Sequence, residues 1–187
     1  MVQVYSYAPF QDNNSIRVLI LDPGQGNDPL VGELREVDVD DCPSFTALSY
    51  VWGDPTRSRQ ITCDGKLLRI TKSLDYALCG VRHATDSLRL WADQVCINQH
   101  DLRERSQQVH FMGKIYERAQ LVHVWLGPDR NHSAEKAFRL LYHLRESFDV
   151  PSLLSEFTEA QNKNVEQFEN EEFHALKELY DLPWVSL

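Results

Sequence analysis

Several common protein classes lack support in this sequence. The cysteines number only four, Cys42, Cys63, Cys79 and Cys96, and no pair has the spacing of a zinc knuckle or a redox motif. The histidines form no HExxH pattern, so no metal site is predicted. The GxGxxG and P-loop motifs of nucleotide-binding proteins and the GxSxG motif of serine hydrolases are also absent. Scattered cysteines of this kind are typical of buried thiols in a reducing compartment.

Positive charge and long apolar runs are also scarce. The chain has 28 acidic and 19 basic residues, a net charge of −9, and would repel the phosphates of nucleic acids and anionic lipids. No stretch approaches the roughly 20 apolar residues that a membrane span requires. The first residues lack the basic and apolar regions of a signal peptide. We therefore expect a soluble, cytoplasmic protein that binds neither nucleic acid nor membranes.

The overall composition is that of an ordinary globular protein. Hydrophobic residues make up 42% of the 187 residues and charged residues 25%, which allows a substantial core. The length fits one domain, 1–187. The segment 151–187 holds eight acidic residues and two lysines. Such a charge run favours a solvated helical face over an acidic interaction tail.

Hydrophobic periodicity predicts an α/β fold. The predicted strands are 16–21, 34–39 (at an edge of the sheet), 47–51, 88–97 and 121–126, with a hairpin at the Asp-Gly turn 64–65. A first predicted helix begins after an N-cap at Thr71 or Ser73, with Leu74, Ala77, Leu78 and Val81 at helical spacing. Further helices are predicted at 101–119, 133–148 and 171–182, with loop and broken helix over 149–170. Because strands and helices alternate from residue 47 onward, we expect a mainly parallel sheet flanked by helices. The N-terminal strands and the hairpin add an antiparallel portion.

The same periodicity predicts which helical residues face the core. For the 101–119 helix these are Val109, Met112, Ile115, Tyr116 and Ala119. For the 133–148 helix they are Ala137, Phe138, Leu141 and Leu144. The apolar strand at 121–126 is expected to lie in the core as well.

Two segments combine an apolar run with a polar end. TALSYVWGD at 46–54 and LWADQVCINQ at 90–99 each stop in aromatic, amide and carboxylate groups. In open α/β sheets the ligand crevice lies beyond the carboxyl ends of the strands, so both ends are expected to face one hollow. Tyr50 and Trp52 point to the same face of their strand. Either Trp52 stacks on a ligand ring while Asp54 accepts hydroxyl hydrogen bonds, or Trp52 is core and Asp54 belongs to a turn.

Asp93 is unusual because it lies inside an apolar run. An unpaired buried carboxylate is heavily penalised, so Asp93 needs a partner. Arg89, Arg105, a backbone amide or a ligand hydroxyl would each serve, and structural pairing and ligand contact remain open alternatives. Asn98 and Gln99 follow in a loop, where amides commonly brace the backbone.

Asp101 and Glu104 begin the long predicted helix. Their spacing is that of a capping box, in which each side chain accepts from the other's backbone N–H. A catalytic carboxylate is the alternative for Glu104. A helix N-terminus at the crevice would favour an anionic ligand such as a phosphate, which Arg103 and Arg105 would contact unless they face water.

These segments resemble the fungal heterokaryon-incompatibility (HET) domain. ALSYVWGD at 47–54, LWADQVCINQ at 90–99, DLRERSQQVHFMGKIYERA at 101–119 and VHVWLGP at 122–128 occur in the family's order and spacing. The second motif departs mildly at Ala92, Gln94 and Val95, where the family usually has Ile, Ala and Ile. The resemblance covers the core motifs at 47–128, and the acidic helical segment at 133–187 is expected to follow as an incomplete end of the same domain. The resemblance also implies a role in fungal non-self recognition and cell-death signalling, through protein partners or self-association.

The resemblance further implies a distant relation to TIR domains, which have a flavodoxin-like parallel sheet. Some TIR domains hydrolyse NAD, so NAD is the candidate substrate, and no resident cofactor or metal is implied. A carboxylate would stabilise the oxocarbenium-like state of that reaction, and Glu104 and Asp93 are the candidate catalytic residues. The candidate ligand-binding residues are Tyr50, Trp52, Asp54, Asn98, Gln99 and Arg105.

One departure from the family lies at the end of the sequence. HET domains usually continue after a Pro-Trp pair with an aromatic residue, an Arg, a second Trp and a Gln-Glu pair, whereas LPWVSL at 182–187 ends this chain. The Glu of that pair is the expected counterpart of the TIR catalytic glutamate. Three hypotheses follow: a death-signalling module, a hydrolase of NAD or a related nucleotide, and a truncated remnant with neither activity.

Overall fold

The computed structural model describes residues 3–129, 131–147 and 171–181, which fall into two units. The first unit, up to Gly127, holds a seven-stranded sheet and its helices. The described part of the second unit, from Pro128, holds two helices that pack on each other. The predicted loop at 149–170 and the LPWVSL end lie outside the described residues.

The strands and helices follow the sequence in this order. The strands are β1 Ser15–Leu21, β2 Val31–Asp38, β3 Thr46–Tyr50, β4 Arg59–Cys63, β5 Lys66–Ile70, β6 Leu88–Trp91 and β7 Leu121–Trp125. The helices are α1 Lys72–Val81, α2 Asp93–Cys96, α3 Leu102–Arg118, α4 Ala134–Ser147 and α5 Glu171–Tyr180.

The sheet is mixed. Its strand order is β5-β4-β2-β1-β6-β3-β7. β1 runs antiparallel to β2 and to β6, and β4 runs antiparallel to β5. β2 with β4, and β3 with β6 and β7, are parallel pairs. The α/β class is confirmed, but a mainly parallel sheet is not supported, because the antiparallel ladders hold most of the paired residues.

The N-terminal strands explain why the sheet is mixed. The sequence analysis predicts that they form a separate antiparallel portion, whereas β1 and β2 lie in the centre of the sheet. The prediction that 34–39 forms an edge strand is therefore wrong, since β2 has β1 and β4 as neighbours. Ile16, Leu19 and Leu21 of β1 are fully buried in the core, as expected for a central strand.

The second motif changes from strand to helix earlier than predicted. β6 ends at Trp91, and residues 93–96 form the short helix α2 in place of a strand reaching 97. Asp93 begins this turn by accepting the backbone N–H of Gln94 at 2.7 Å. The carbonyl of Ala92 accepts the N–H groups of Val95 and Cys96 at 3.1 and 2.8 Å, which closes the helical turn.

Helix α3 lies close to its predicted bounds, but its inward face differs. Ile115 is buried and Met112, Tyr116 and Ala119 are half-buried, whereas Val109 is 55% exposed. The neighbouring Gln108 is buried instead, and its side chain donates to the Ser15 carbonyl at 2.9 Å. Helix α1 begins as predicted, because the Thr71 hydroxyl accepts the N–H of Leu74 at 3.3 Å.

Two predicted core assignments are wrong in part for the C-terminal region. β7 is an edge strand, since the described chain supplies it with one neighbour, β3; Leu121, Val122 and Val124 are exposed, whereas Trp125 is half-buried against the core. On α4, Ala137 is buried as predicted, but Phe138 and Leu141 are exposed; the side chain of Leu144 lies outside the described ones. None of the described helices has the length and apolar character of a membrane span. All four cysteines are free thiols, with Cys63 and Cys96 buried.

Candidate functional site

The two motif segments meet at the side chain of Asp93. The hydroxyl of Tyr50 donates to Asp93 Oδ1 at 3.0 Å, and the indole Nε1 of Trp52 donates to Asp93 Oδ2 at 2.8 Å. Tyr50 ends β3, and Trp52 follows it by two residues, so both side chains reach the start of α2. We call these three residues the Asp93 junction. It joins the end of the first motif to the middle of the second.

Burial dominates the electrostatics of the junction. It raises the pKa of Asp93, although the hydrogen bonds from Trp52, Tyr50 and the Gln94 amide act in the opposite direction. Burial, and next the charge of Asp93, raise the pKa of Tyr50 well above its ordinary value, so this hydroxyl remains a donor. Neither Arg89 nor Arg105 forms an ion pair with Asp93, and its described partners are neutral donors.

Gln99 contacts the backbone of the junction from the loop that follows α2. Its side-chain Nε2 donates to the backbone carbonyl of Asp93 at 2.9 Å. Asn98 acts within the same loop, where its Oδ1 accepts the N–H of His100 at 3.2 Å. Both amides therefore brace the backbone in the described structure, and their role as ligand-binding residues stays a prediction.

Asp54 lies in an exposed turn after the junction. Gly53 adopts a positive φ of 62°, which a residue without a Cβ tolerates best, and reverses the chain. The carboxylate of Asp54 accepts the N–H of Thr56 at 2.9 Å. Hydrogen bonds from Thr56 lower the pKa of that carboxyl. The described contacts of Asp54 thus belong to its own turn.

Glu104 takes part in a buried ion pair and not in the Asp93 junction. Its two oxygens lie 2.6 and 3.1 Å from the two terminal nitrogens of Arg17 on β1. Side-chain exposure is 5% for Arg17 and 7% for Glu104. Glu104 Oε1 also accepts the N–H of Asn98 at 2.6 Å. The bidentate pair ties α3, the loop before it and the centre of the sheet together.

Arg17 was not among the predicted site residues. Its guanidinium also donates to the carbonyls of Ala8 at 2.6 Å and Cys96 at 3.2 Å, and it stacks over the ring of Phe10 at 4.0 Å. The sequence feature that could have identified it is an arginine within the apolar run IRVLIL, just as Asp93 stands out within its own apolar run. A buried cation in a strand requires a buried anion, which Glu104 supplies.

The start of α3 is capped by protein groups. Asp101 accepts the N–H groups of Arg103 and Glu104 at 2.9 and 3.2 Å, which confirms it as the N-cap. The reciprocal half of the predicted capping box is wrong, because Glu104 accepts from Asn98 and not from Asp101. Arg105 is exposed and forms no ion pair with the described residues.

A surface depression of about 590 Å³ lies elsewhere in the first unit. Its lining comes from the loop 26–30, from 58–62 around the start of β4, and from Asp75, Tyr76 and Cys79 of α1. None of the predicted site residues lines it. Within the described ranges, no cluster of three or more His, Cys, Asp or Glu side chains is suited to a metal ion.

Comparison with known proteins agrees with the motifs. The family model of the heterokaryon incompatibility protein (HET) matches residues 45–186. The chain is 41% identical over 137 residues to heterokaryon incompatibility protein 6, OR allele, of Neurospora crassa. That alignment covers 66% of this chain and 20% of the relative, so the chain spans about one fifth of the relative's length. No solved structure gives a significant match. Since the family model covers well over half of the residues, this chain belongs to the heterokaryon incompatibility (HET) family.

Proposed function

We propose that this chain is the HET module of a fungal non-self recognition protein and that it acts in the cytoplasm by contacting protein partners or further copies of itself. The Asp93 junction carries the proposal, because it joins the two motifs that define the family resemblance through three side chains. The family match and the similarity to a heterokaryon incompatibility protein of Neurospora crassa support the same role.

The junction gives the two motif ends a fixed geometry. Asp93 is buried with neutral donors on both carboxylate oxygens, an arrangement that stays favourable only while Tyr50 and Trp52 remain in place. Exposed residues lie at 53–56, where the first motif ends, and at 100–103, where α3 begins after the second motif. A partner that contacts either segment would therefore meet a surface that the junction holds in place.

The described contacts give no support to the nucleotide-hydrolase alternative. Glu104 is held by Arg17 and the Asn98 amide, and Asp93 is held by Tyr50, Trp52 and the Gln94 amide. A catalytic carboxylate needs access to its substrate. We therefore assign both carboxylates to the architecture of the module.

Expression in fungal cells tests the proposal. The wild-type chain should arrest growth in a strain that carries an incompatible allele and leave a compatible strain unaffected. Asp93→Asn should weaken the arrest, because the amide has one acceptor oxygen where the carboxylate has two. Asp86→Asn, exposed in the loop before β6 and outside both motifs, is the matched control and should arrest growth like the wild type.

Protein abundance is measured by immunoblot and nicotinamide release is followed in the same cells. Growth that continues in every strain despite normal abundance would refute the proposal. Growth arrest accompanied by nicotinamide release that Asp93→Asn abolishes would favour the hydrolase instead.

A further inference from the structure

Among the described residues, β7 presents an apolar edge with no strand beyond it. In the described sheet it pairs with β3 on one side and has no strand on the other. Leu121, Val122 and Val124 are 52%, 39% and 44% exposed. Its sequence, LVHVW, contains no charged residue, proline or glycine. Natural edge strands usually carry such residues, because an exposed apolar edge pairs readily with another strand.

The opposite edge of the same sheet has protection that the described residues do not give to β7. β5 carries Lys66 and Arg69, and the N-terminal segment runs along it. The N–H of Tyr5 donates to the Leu67 carbonyl at 2.8 Å, and the N–H of Leu67 donates to the Gln3 carbonyl at 2.9 Å. The chain thus covers one edge of its sheet with charge and with its own backbone.

We propose that β7 pairs with β7 of a second copy of this chain. A two-fold axis between identical edge strands sets them antiparallel. The sequence LVHVW is nearly symmetric about His123. A register centred there places Val122 opposite Val124 of the second copy, and Leu121 opposite Trp125 of the second copy. The exposed apolar residues of one copy therefore cover those of the other, as cross-strand pairs do in sheets.

The edge favours an apolar partner strand over a charged one, because LVHVW holds no acidic residue, lysine or arginine with which a charged peptide would pair. Each chain carries a net charge of −9, and the two copies repel each other at long range. Salt screens that repulsion, so pairing should strengthen as ionic strength rises.

The size of the edge sets the strength of pairing. A five-residue strand buries far less than the roughly 1,200 Å² of a stable complex. The dimer should therefore be weak and strongly dependent on concentration. Its biological use, self-association in non-self recognition, rests on the proposed function, whereas the pairing itself can be measured without any incompatibility assay.

Sedimentation velocity of the 187-residue chain tests the pairing. The wild type should shift from monomer to dimer between micromolar and millimolar concentration, and more so at high salt. Val124→Lys places a charge on the edge and should weaken the dimer by at least roughly tenfold. Val109→Lys, at a 55% exposed valine on α3, is the matched control and should leave the dimer unchanged. Circular dichroism checks that both variants are folded.

Disulfide trapping tests the register. Under mild oxidation His123→Cys should link to the same position of the second copy, as peptide mapping by mass spectrometry would show. Leu121→Cys, which faces Trp125 of the second copy, should not link to itself. A wild type that stays monomeric at every concentration would overturn the proposal, as would a dimer that Val124→Lys leaves intact or that His123→Cys does not trap. A monomer in which the β7 amides on the side away from β3 resist hydrogen exchange would place another segment on this edge, and the proposal would fall.

Discussion

Neutralising Glu104 is the sharpest test of whether this carboxylate is architectural. In Glu104→Gln the amide keeps one acceptor oxygen for Asn98, but Arg17 loses its anion while its side chain remains only 5% exposed. Removing one partner of a buried ion pair costs about 3–5 kcal/mol, because the other charge stays buried without compensation. Since the guanidinium retains the carbonyls of Ala8 and Cys96, we expect the lower end, about 3 kcal/mol.

Urea unfolding, followed by circular dichroism and tryptophan fluorescence, measures this loss. Glu117→Gln is the matched control, since Glu117 is exposed on the same helix and should change the free energy of unfolding by less than about 0.5 kcal/mol. The double variant Arg17→Met, Glu104→Leu removes both charges and should recover most of the loss.

The reasoning has a clear point of failure. If Glu104→Gln lowers the free energy of unfolding by less than about 1 kcal/mol, Arg17 does not depend on Glu104 to compensate its buried charge. A double variant that is less stable than Glu104→Gln would show that the groups act separately.

Three further predictions use other parts of the first unit. Gly80→Ala should destabilise the chain by about 1–3 kcal/mol, since its Cβ would overlap the indole ring of Trp125 in β7. Gly113→Ala, with open space around it, should stabilise the chain by up to about 1 kcal/mol. Urea midpoints that shift in the opposite directions would contradict this. Burial raises the pKa of Cys63 and of Cys96 to about 12, so iodoacetamide should label the two half-buried thiols first, as peptide mass spectrometry would show. Because burial raises the pKa of Asp93 above 3.8, its stabilising contribution is greatest below that pH and is lost as the pH rises through the folded-state pKa. Asp93→Asn should therefore gain stability relative to the wild type as pH rises, and a flat difference in stepped-pH unfolding would count against this.

Local patterns in the sequence predicted the long helix well. The prediction of 101–119 lies within one residue of α3 at each end, because the apolar period and the cap both depend on neighbours a few residues away. The same holds for Thr71 at the start of α1. Such features are settled by contacts within one or two helical turns.

Features that depend on distant residues were missed. A short apolar run fits a strand or a buried helical turn equally well, so the sequence did not show that residues 93–96 leave the sheet. The partners of Asp93 lie 41 and 43 residues away, and the arginine that holds Glu104 lies 87 residues away. β1 and β6 are also far apart in the sequence, so no local pattern could show that they pair and make the sheet mixed.

The position of β1 and β2 determines where a working fragment of this protein has to start. The family match begins at residue 45, after both strands. A polypeptide trimmed to the matched boundary would retain β5-β4 and β6-β3-β7 as separate ribbons, because the two strands that connect them in the sheet would be gone. It would also lose the cation that neutralises Glu104. Gene fragments designed for expression should therefore begin upstream of Ser15, since the family-model match begins only after two strands of the sheet.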